Sequence, residues 1–123
     1  MGKVILMILL AVGSSSAVAQ SCSSLSQNID DARTELTRAR DSNDFDNAKN
    51  YARRAKNELE DAELAANDCK CPLAASEFDD AARHAKRARD SDSGSDFANE
   101  LRRAIRDFNS ALSNIRLCKS SRR

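Results

Sequence analysis

Several residue types on which metal, cofactor and nucleotide sites depend are scarce in this chain of 123 residues. It has one histidine, His84, and three glycines, and both methionines, Met1 and Met7, lie near the amino terminus. A four-helix haem protein that ligates iron through a Met/His pair is therefore excluded for the rest of the chain. The Glu-x-x-His pairs of di-iron carboxylate bundles and a glycine-rich phosphate loop are also missing.

Aromatic residues and an excess of one charge are scarce as well. Aromatics make up 4% of the chain, and 20 Lys and Arg stand against 19 Asp and Glu. A nucleic-acid-binding domain usually shows a basic excess or aromatic side chains for base stacking, so nucleic acid is not an expected partner. No serine is paired with a histidine and an orienting acid. We predict no enzymatic activity, no catalytic residue, no metal site and no cofactor.

The amino terminus has the pattern of a secretory signal. Lys3 supplies the positive charge, residues 4–12 form an apolar run too short to span a membrane, and Ala17-Val18-Ala19 matches the cleavage pattern. We predict that residues 1–19 are removed and that residues 20–123 form a single helical domain. Acylation of Cys22, as in a lipoprotein, is the alternative, but it would leave three cysteines that cannot all pair.

Four cysteines, Cys22, Cys69, Cys71 and Cys118, follow the predicted signal. An even number of cysteines in an exported chain is typical of disulfides formed in an oxidising compartment. We therefore expect a periplasmic or secreted protein without a membrane span.

The chain resembles itself when it is shifted by 49 residues. Cys22 then aligns with Cys71 and Cys69 with Cys118, and three further segments align without a gap: Asp30-Asp31-Ala32 with Asp79-Asp80-Ala81, Arg38 to Ser42 with Arg87 to Ser91, and Arg53-Arg54-Ala55 with Arg102-Arg103-Ala104. The shift predicts an internal repeat, residues 22–69 and 71–118.

Each repeat has the spacing of two amphipathic helices joined by a polar break. Apolar residues recur at alternating steps of about four and three, which is the heptad spacing of a coiled coil. Folding each repeat at its break sets large apolar residues opposite alanines, as in Ala32/Leu59 and Ala81/Phe108. We predict an all-α, alanine-rich, up-down-up-down bundle of two tandem helical hairpins. Asp44 and Asp96 are predicted caps, and Pro72 suits a first helical turn.

The cysteines occupy the same predicted seams, one step beyond the last apolar layer. Cys22–Cys69 and Cys71–Cys118 are the expected disulfides, stapling one end of the bundle. The alternative is Cys22–Cys71 with Cys69–Cys118, because all four thiols share that end. A zinc site of four cysteines is the remaining alternative, although Cys69-x-Cys71 is not the usual spacing for zinc.

Two other patterns have simple structural explanations. The loop Asp90 to Asp96 has alternating acidic residues, but its glycine is one position early for a calcium loop and Leu101 stands where glutamate is needed. Turn and capping chemistry explains it. His84 is expected to be a solvated helix residue.

Charges are distributed unevenly along the predicted helices. Acidic residues concentrate toward the cysteine end, and basic residues concentrate toward the loops. We predict a non-enzymatic binding module that docks a protein or an anionic envelope polymer. Its predicted contact residues are Arg53, Arg54, Arg87, Arg102, Arg103 and an apolar edge of Ile105 and Leu112. The alternatives are a small-ligand or metal carrier, for which the alanine-rich seams leave little room, and a self-assembling structural protein of the envelope. The oligomeric state is not predicted.

Overall fold

The structure, a computed structural model, consists of four helices, and it describes the backbone of residues 2–121 and the side chains of residues 22–119. The helices are α1 (Gly2–Asp41), α2 (Phe45–Asp68), α3 (Pro72–Arg89) and α4 (Gly94–Ser121). No strand occurs among residues 2–121, which confirms the all-α prediction. The predicted export signal, residues 1–19, lies outside the residues whose side chains are described, and it stays a prediction.

Helices that follow one another in the chain pack as antiparallel neighbours, which confirms the up-down-up-down bundle. Extensive contacts join α1 to α2, α2 to α3, and α3 to α4, whereas α1 and α4 contact each other far less. We call the α2/α3 interface the closed side and the gap between α1 and α4 the open side.

The core consists of the apolar seam residues of both hairpins. Phe78, Leu25 and Leu59 are among its largest fully buried side chains, and no polar or charged residue between positions 22 and 119 is buried. Ile29 is an exception on the predicted seam, because it is only half-buried. Large residues pack among alanines, and Leu59, Phe78 and Ala81 are completely shielded from solvent.

Three buried alanines lie off the predicted seams: Ala65 on α2, and Ala75 and Ala82 on α3. These alanines are buried because one hairpin packs on the other. The apolar spacing within each hairpin does not predict that contact. Because alanine side chains are small, they let the axes of α2 and α3 approach closely.

The starts of α2 and α3 were predicted correctly, and the N-cap of α4 was not. The Asp44 carboxylate accepts hydrogen bonds from the backbone N–H groups of Asp46 and Asn47, and Pro72 occupies the first turn of α3. However, α4 begins at Gly94, and the Ser93 hydroxyl accepts a hydrogen bond from the Asp96 N–H at 3.1 Å. The N-cap is therefore Ser93 rather than Asp96, because a serine hydroxyl reaches the same orphan N–H groups.

The connection between α2 and α3 is short and conformationally restricted. Lys70 has a φ of 66°, in the left-handed region that favours glycine. This conformation directs the Cys71 N–H back to the Ala66 carbonyl at 2.8 Å and so satisfies the end of α2. The tight turn fixes α2 and α3 side by side at the cysteine end.

Candidate functional site

The four cysteines form the predicted disulfides, Cys22–Cys69 and Cys71–Cys118, and the alternative pairing is excluded. Their Cα atoms are 5.2 and 5.8 Å apart, which is ordinary for a disulfide. Cys69 and Cys71 are buried in the core, and no cysteine between residues 22 and 119 is free. The sulfurs therefore join the ends of each hairpin, and the zinc alternative does not apply. Two disulfides also indicate an oxidising environment outside the cytoplasm.

Acidic side chains crowd together in the half of the bundle nearest the cysteines. Partial burial raises the pKa of Glu58, and the charges of Asp31, Asp61 and Glu35 raise it further. Burial, with Asp79 and Glu60, likewise raises the pKa of Glu63 against the opposing charge of Arg83. Carboxylates of three helices thus repel one another at these levels, as expected for an acidic half.

Glu35 belongs to this acidic half, although the sequence pattern did not assign it there. Its Oε1 accepts a hydrogen bond from Arg38 at 3.3 Å, and its other carboxylate oxygen is buried without a hydrogen-bond partner. A single glutamate among the basic residues Arg33 and Arg38 gave no signal in the sequence, because its acidic neighbours come from α2.

All five predicted contact arginines are exposed. Four of them, Arg53, Arg54, Arg87 and Arg102, form no ion pair with a carboxylate among residues 22–119. Arg53 donates to the amide oxygen of Asn50, and Arg54 lies 5.7 Å from the centre of the Tyr51 ring. Arg102 donates to the amide oxygen of Asn99 at 3.2 Å. Their charges are available to an external anion.

The predicted contact arginines do not form one continuous patch. Arg87 and Arg103 line a hollow between α3 and α4, which also contains Asp90, Asp92, Asp96 and Glu100. Arg103 approaches Glu100 at 3.6 Å. Arg102 instead faces the open side. The arginines therefore occupy separate faces that differ in how many carboxylates accompany them.

A recess opens between α1 and α4 at the end of the bundle that carries the α1–α2 and α3–α4 loops. We call it the loop-end recess; it encloses about 730 Å³. Its lining is Ala39, Arg40, Ser42, Asn43, Phe45, Ala48, Gly94, Phe97, Ala98, Leu101, Arg102 and Ile105. The rings of Phe45 and Phe97 meet edge-to-face with centroids 5.8 Å apart. Most of the lining is apolar, and its two charged residues are arginines.

The expectation that alanine-rich seams leave little room concerned the core of the bundle, whose seam residues are mostly buried. The recess lies elsewhere, between the hairpins, where the first and last helices contact each other little. Its sequence signal was weak: Phe45 and Phe97 each stand near the start of a helix, and Ala98 adjoins Phe97. Only the arrangement of the two hairpins brings these residues together.

The predicted apolar edge of α4 is half-buried. Ile105 and Leu112 both pack against the core. Ile105 lines the loop-end recess and two smaller hollows that continue it along the open side. A role for this edge in binding stays a prediction.

His84 is not the solvated residue that the sequence suggested. Its ring lies between two carboxylates of α4, with Nδ1 2.8 Å from Glu100 and Nε2 3.5 Å from Asp107. All three side chains are largely buried, at 17%, 20% and 15% exposure. The local sequence around His84 gave no signal, because both partners lie on the next helix. The residue ties α3 to α4.

The acidic loop before α4 uses its side chains in turn and helix-end contacts, as predicted. Arg89 donates to both carboxylate oxygens of Asp90 and thereby lowers the pKa of that group. Ser91 donates to the Arg87 carbonyl at 2.8 Å. Among residues 22–119, no group of three or more histidine, cysteine, aspartate or glutamate side chains is arranged to hold a metal ion.

No helix within the described part of the chain is long and apolar enough to cross a membrane. Comparison with family models, with curated proteins and with solved structures finds no match to this chain.

Proposed function

We propose that the chain is an exported, non-enzymatic binding module that docks an anionic macromolecule through its helix faces. The observation that carries this proposal is the set of four exposed arginines, Arg53, Arg54, Arg87 and Arg102, that form no ion pair with residues 22–119. A macromolecular anion can neutralise such charges without displacing an internal partner.

Acidic and basic residues concentrate in opposite halves of the bundle, and this separation favours one orientation of the protein when it meets an anionic partner. Carboxylates crowd near the cysteine end, as the raised pKa values of Glu58 and Glu63 indicate. The unpaired arginines lie toward the loops. A molecule with such a dipole turns its basic half toward an anionic surface during diffusion, which raises the rate of association.

The proposed compartment is the periplasm or the extracellular fluid. The predicted signal at residues 1–19 supports export, and the two disulfides require an oxidising environment to persist. The proposed partner is accordingly an acidic protein or an anionic polymer of the cell envelope.

Retention on immobilised polyglutamate, at rising salt concentration, tests the docking proposal. Arg53→Glu/Arg54→Glu reverses the charges of two predicted contact arginines, and Arg116→Glu/Lys119→Glu makes the same net change at the cysteine end. We expect the wild type and the control to be retained at low salt and the first variant to pass through, because exposed charges act over about 10 Å at 0.1 M salt. Equal loss of retention in both variants would show that only net charge matters and would overturn the proposal.

A second candidate function is a carrier of a small ligand. The loop-end recess supports it, because about 730 Å³ lies within the usual range of roughly 300–1,000 Å³ for small-molecule sites.

A further inference from the structure

The loop-end recess combines an apolar wall with a positive rim. Phe45, Phe97 and Leu101 form much of the wall; Phe45 is 37% exposed, whereas Phe97 and Leu101 are 7% and 4% exposed. The ring of Phe45 is therefore the main part of the wall that meets water, and apolar surface left exposed at a recess is typical of a binding site rather than of a finished core. Arg40 and Arg102 stand at the polar rim, and no carboxylate belongs to the lining.

Further arginines lie along the open side. Two smaller hollows next to the recess add Arg33 on α1 and Arg106 on α4, which pair with Asp30 at 3.2 Å and with Asp107 at 3.7 Å. The hollow between α3 and α4 is different, because its two arginines are accompanied by four acidic residues. At the recess itself, Arg40 donates to Asp41 at 3.0 Å, whereas Arg102 pairs with no carboxylate among residues 22–119. Arg102 is therefore the rim charge most available to an anionic head group.

We propose that the loop-end recess binds an anionic single-chain amphiphile, with the acyl or alkyl tail on the aromatic wall and the head group against Arg40 and Arg102. The tail removes the exposed apolar wall from water, and the two guanidinium groups donate charge-assisted hydrogen bonds to the head group. This site shares Arg102 with the docking proposal but lies apart from Arg53 and Arg54, whose charge reversal tests that proposal, so either proposal can fail while the other holds.

The shape of the apolar surface favours a small amphiphile over a partner helix. A stable protein interface needs about 1,000 Å² or more of buried surface. Outside the recess, the large exposed apolar residues among positions 22–119 are Leu64, Leu73 and Leu117, and none of them lines the recess or its two neighbouring hollows. The apolar surface on the open side is thus concentrated in one recess of ligand size.

Residues 22–119 leave the recess open. Cys22 and Cys118 lie at the opposite end of the bundle, about 25 Å from the recess along α1 at the usual helical rise. A symmetric dimer through the open side would set Arg40 and Arg102 of one copy near the arginines of the other, and like charges directly opposed are unfavourable.

Calorimetric titration of the disulfide-bonded protein with monomeric dodecyl phosphate tests the proposal. Dodecyltrimethylammonium has the same tail and the opposite charge, and octyl phosphate has the same head and a shorter tail. We expect saturable binding of dodecyl phosphate, binding of the cationic amphiphile at least about tenfold weaker, and a loss of roughly fourfold for each methylene removed.

Matched variants test whether the ligand binds in the recess. Arg40→Glu/Arg102→Glu is expected to weaken dodecyl phosphate binding by about tenfold or more, whereas Lys86→Glu/Arg116→Glu, with the same net charge change, should retain it. Ala98→Trp should block the recess, because Ala98 is exposed and lines it. Asn57→Trp, which adds the same side chain to an exposed position of α2, is the control. Circular dichroism confirms that each variant is folded.

Three outcomes would overturn the proposal. The first is equal affinity for the cationic amphiphile, and the second is equal weakening by the recess and control variants. The third is that the protein does not bind monomeric amphiphile but binds an acidic amphipathic peptide or anionic vesicles through the open side. Loss of amphiphile binding without loss of polyglutamate retention would separate this failure from that of the docking proposal.

Discussion

Alanines lie on both the closed and the open side of the bundle, but the helices pack extensively only on the closed side. Ala65, Ala75 and Ala82 lie buried where α2 packs on α3, whereas Ala39 and Ala98 lie beside the recess between α1 and α4. Small side chains are therefore available on both sides. They permit close approach of helix axes, but they do not by themselves cause it.

Connectivity distinguishes the two sides. A short turn through Lys70 joins α2 to α3, and the disulfides place Cys69 and Cys71 in the core at that turn. Between residues 22 and 119, no loop or disulfide joins α1 directly to α4. Arginines of both helices line the open side, but Arg33, Arg40 and Arg106 each pair with a carboxylate of their own helix. The comparison indicates that an alanine-rich surface closes where a turn holds the helices and stays open where no connection does.

The largest contrast is expected between two phenylalanines. Phe78 is fully buried on α3, while Phe45 is partly exposed at the recess. Phe78→Ala should lower the free energy of unfolding by about 4 kcal/mol, and Phe45→Ala by about 1 kcal/mol, because a cavity forms only at the buried position. Urea unfolding with both disulfides intact measures the two values. Equal losses would show that the recess is packed as tightly as the core.

Replacing an alanine by leucine should lower the free energy of unfolding more on the closed side than on the open side. Ala82→Leu on the closed side is expected to cost about 2 kcal/mol, because the added atoms overpack the interface of α2 and α3. Ala98→Leu, at an exposed position in the recess, should change stability by less than about 0.5 kcal/mol. The midpoint of urea unfolding reports both effects. A similar cost for both substitutions would contradict the distinction between the sides.

Glycine at position 70, in the turn between α2 and α3, should stabilise the protein. Lys70→Gly relieves the left-handed backbone conformation at a φ of 66° and should stabilise the protein by up to about 1 kcal/mol, after the entropy of glycine in the unfolded chain is subtracted. Lys70→Ala, which keeps a Cβ atom, should not show this gain. Thermal unfolding of both variants tests the expectation, and a loss of stability in Lys70→Gly would contradict it.

The smallest effect is expected in the acidic half. Because the folded pKa of Glu58 is raised, the folded state binds more protons than the unfolded chain between about pH 6 and pH 4, and this group's contribution to stability rises as the pH falls through that window. Glu58→Gln should therefore stabilise the protein at pH 7 by about 0.5 kcal/mol, with less gain at pH 4.

The matched variant is Glu60→Gln, because Glu60 forms an ion pair with Lys56 at 2.9 Å. This substitution removes a favourable contact and should not stabilise the protein at pH 7. Urea unfolding at pH 7 and pH 4 compares the two. If Glu58→Gln were destabilising at pH 7, the repulsion inferred in the acidic half would be wrong.

Much of the fold could be predicted from the sequence, because its determinants lie within each hairpin. Heptad spacing places Leu59 and Phe78 in the core, and the equivalent positions of the cysteines in the seams give the correct disulfides. Asp44 and Pro72 act locally, so they were also predictable. Ser93 was missed because serine and aspartate cap helices about equally well.

The missed features depend on contacts between helices that no local pattern encodes. His84 is held by Glu100 and Asp107 from the next helix. Ala75 and Ala82 of the second hairpin are buried by the first hairpin. The loop-end recess combines residues from α1, α2 and α4, and it exists because two helices fail to close. Predicting it would have required the relative position of the hairpins.

Chemical-shift mapping by NMR with monomeric dodecyl phosphate tests most directly whether the open side is a binding site. The account predicts that shifts of backbone amides concentrate at Ala39, Phe45, Ala98 and Leu101, while amides of the closed side, such as Ala75 and Ala82, stay in place. Shifts centred on the closed side or on the isolated Leu64 and Leu73, or no saturable shifts at all, would contradict it.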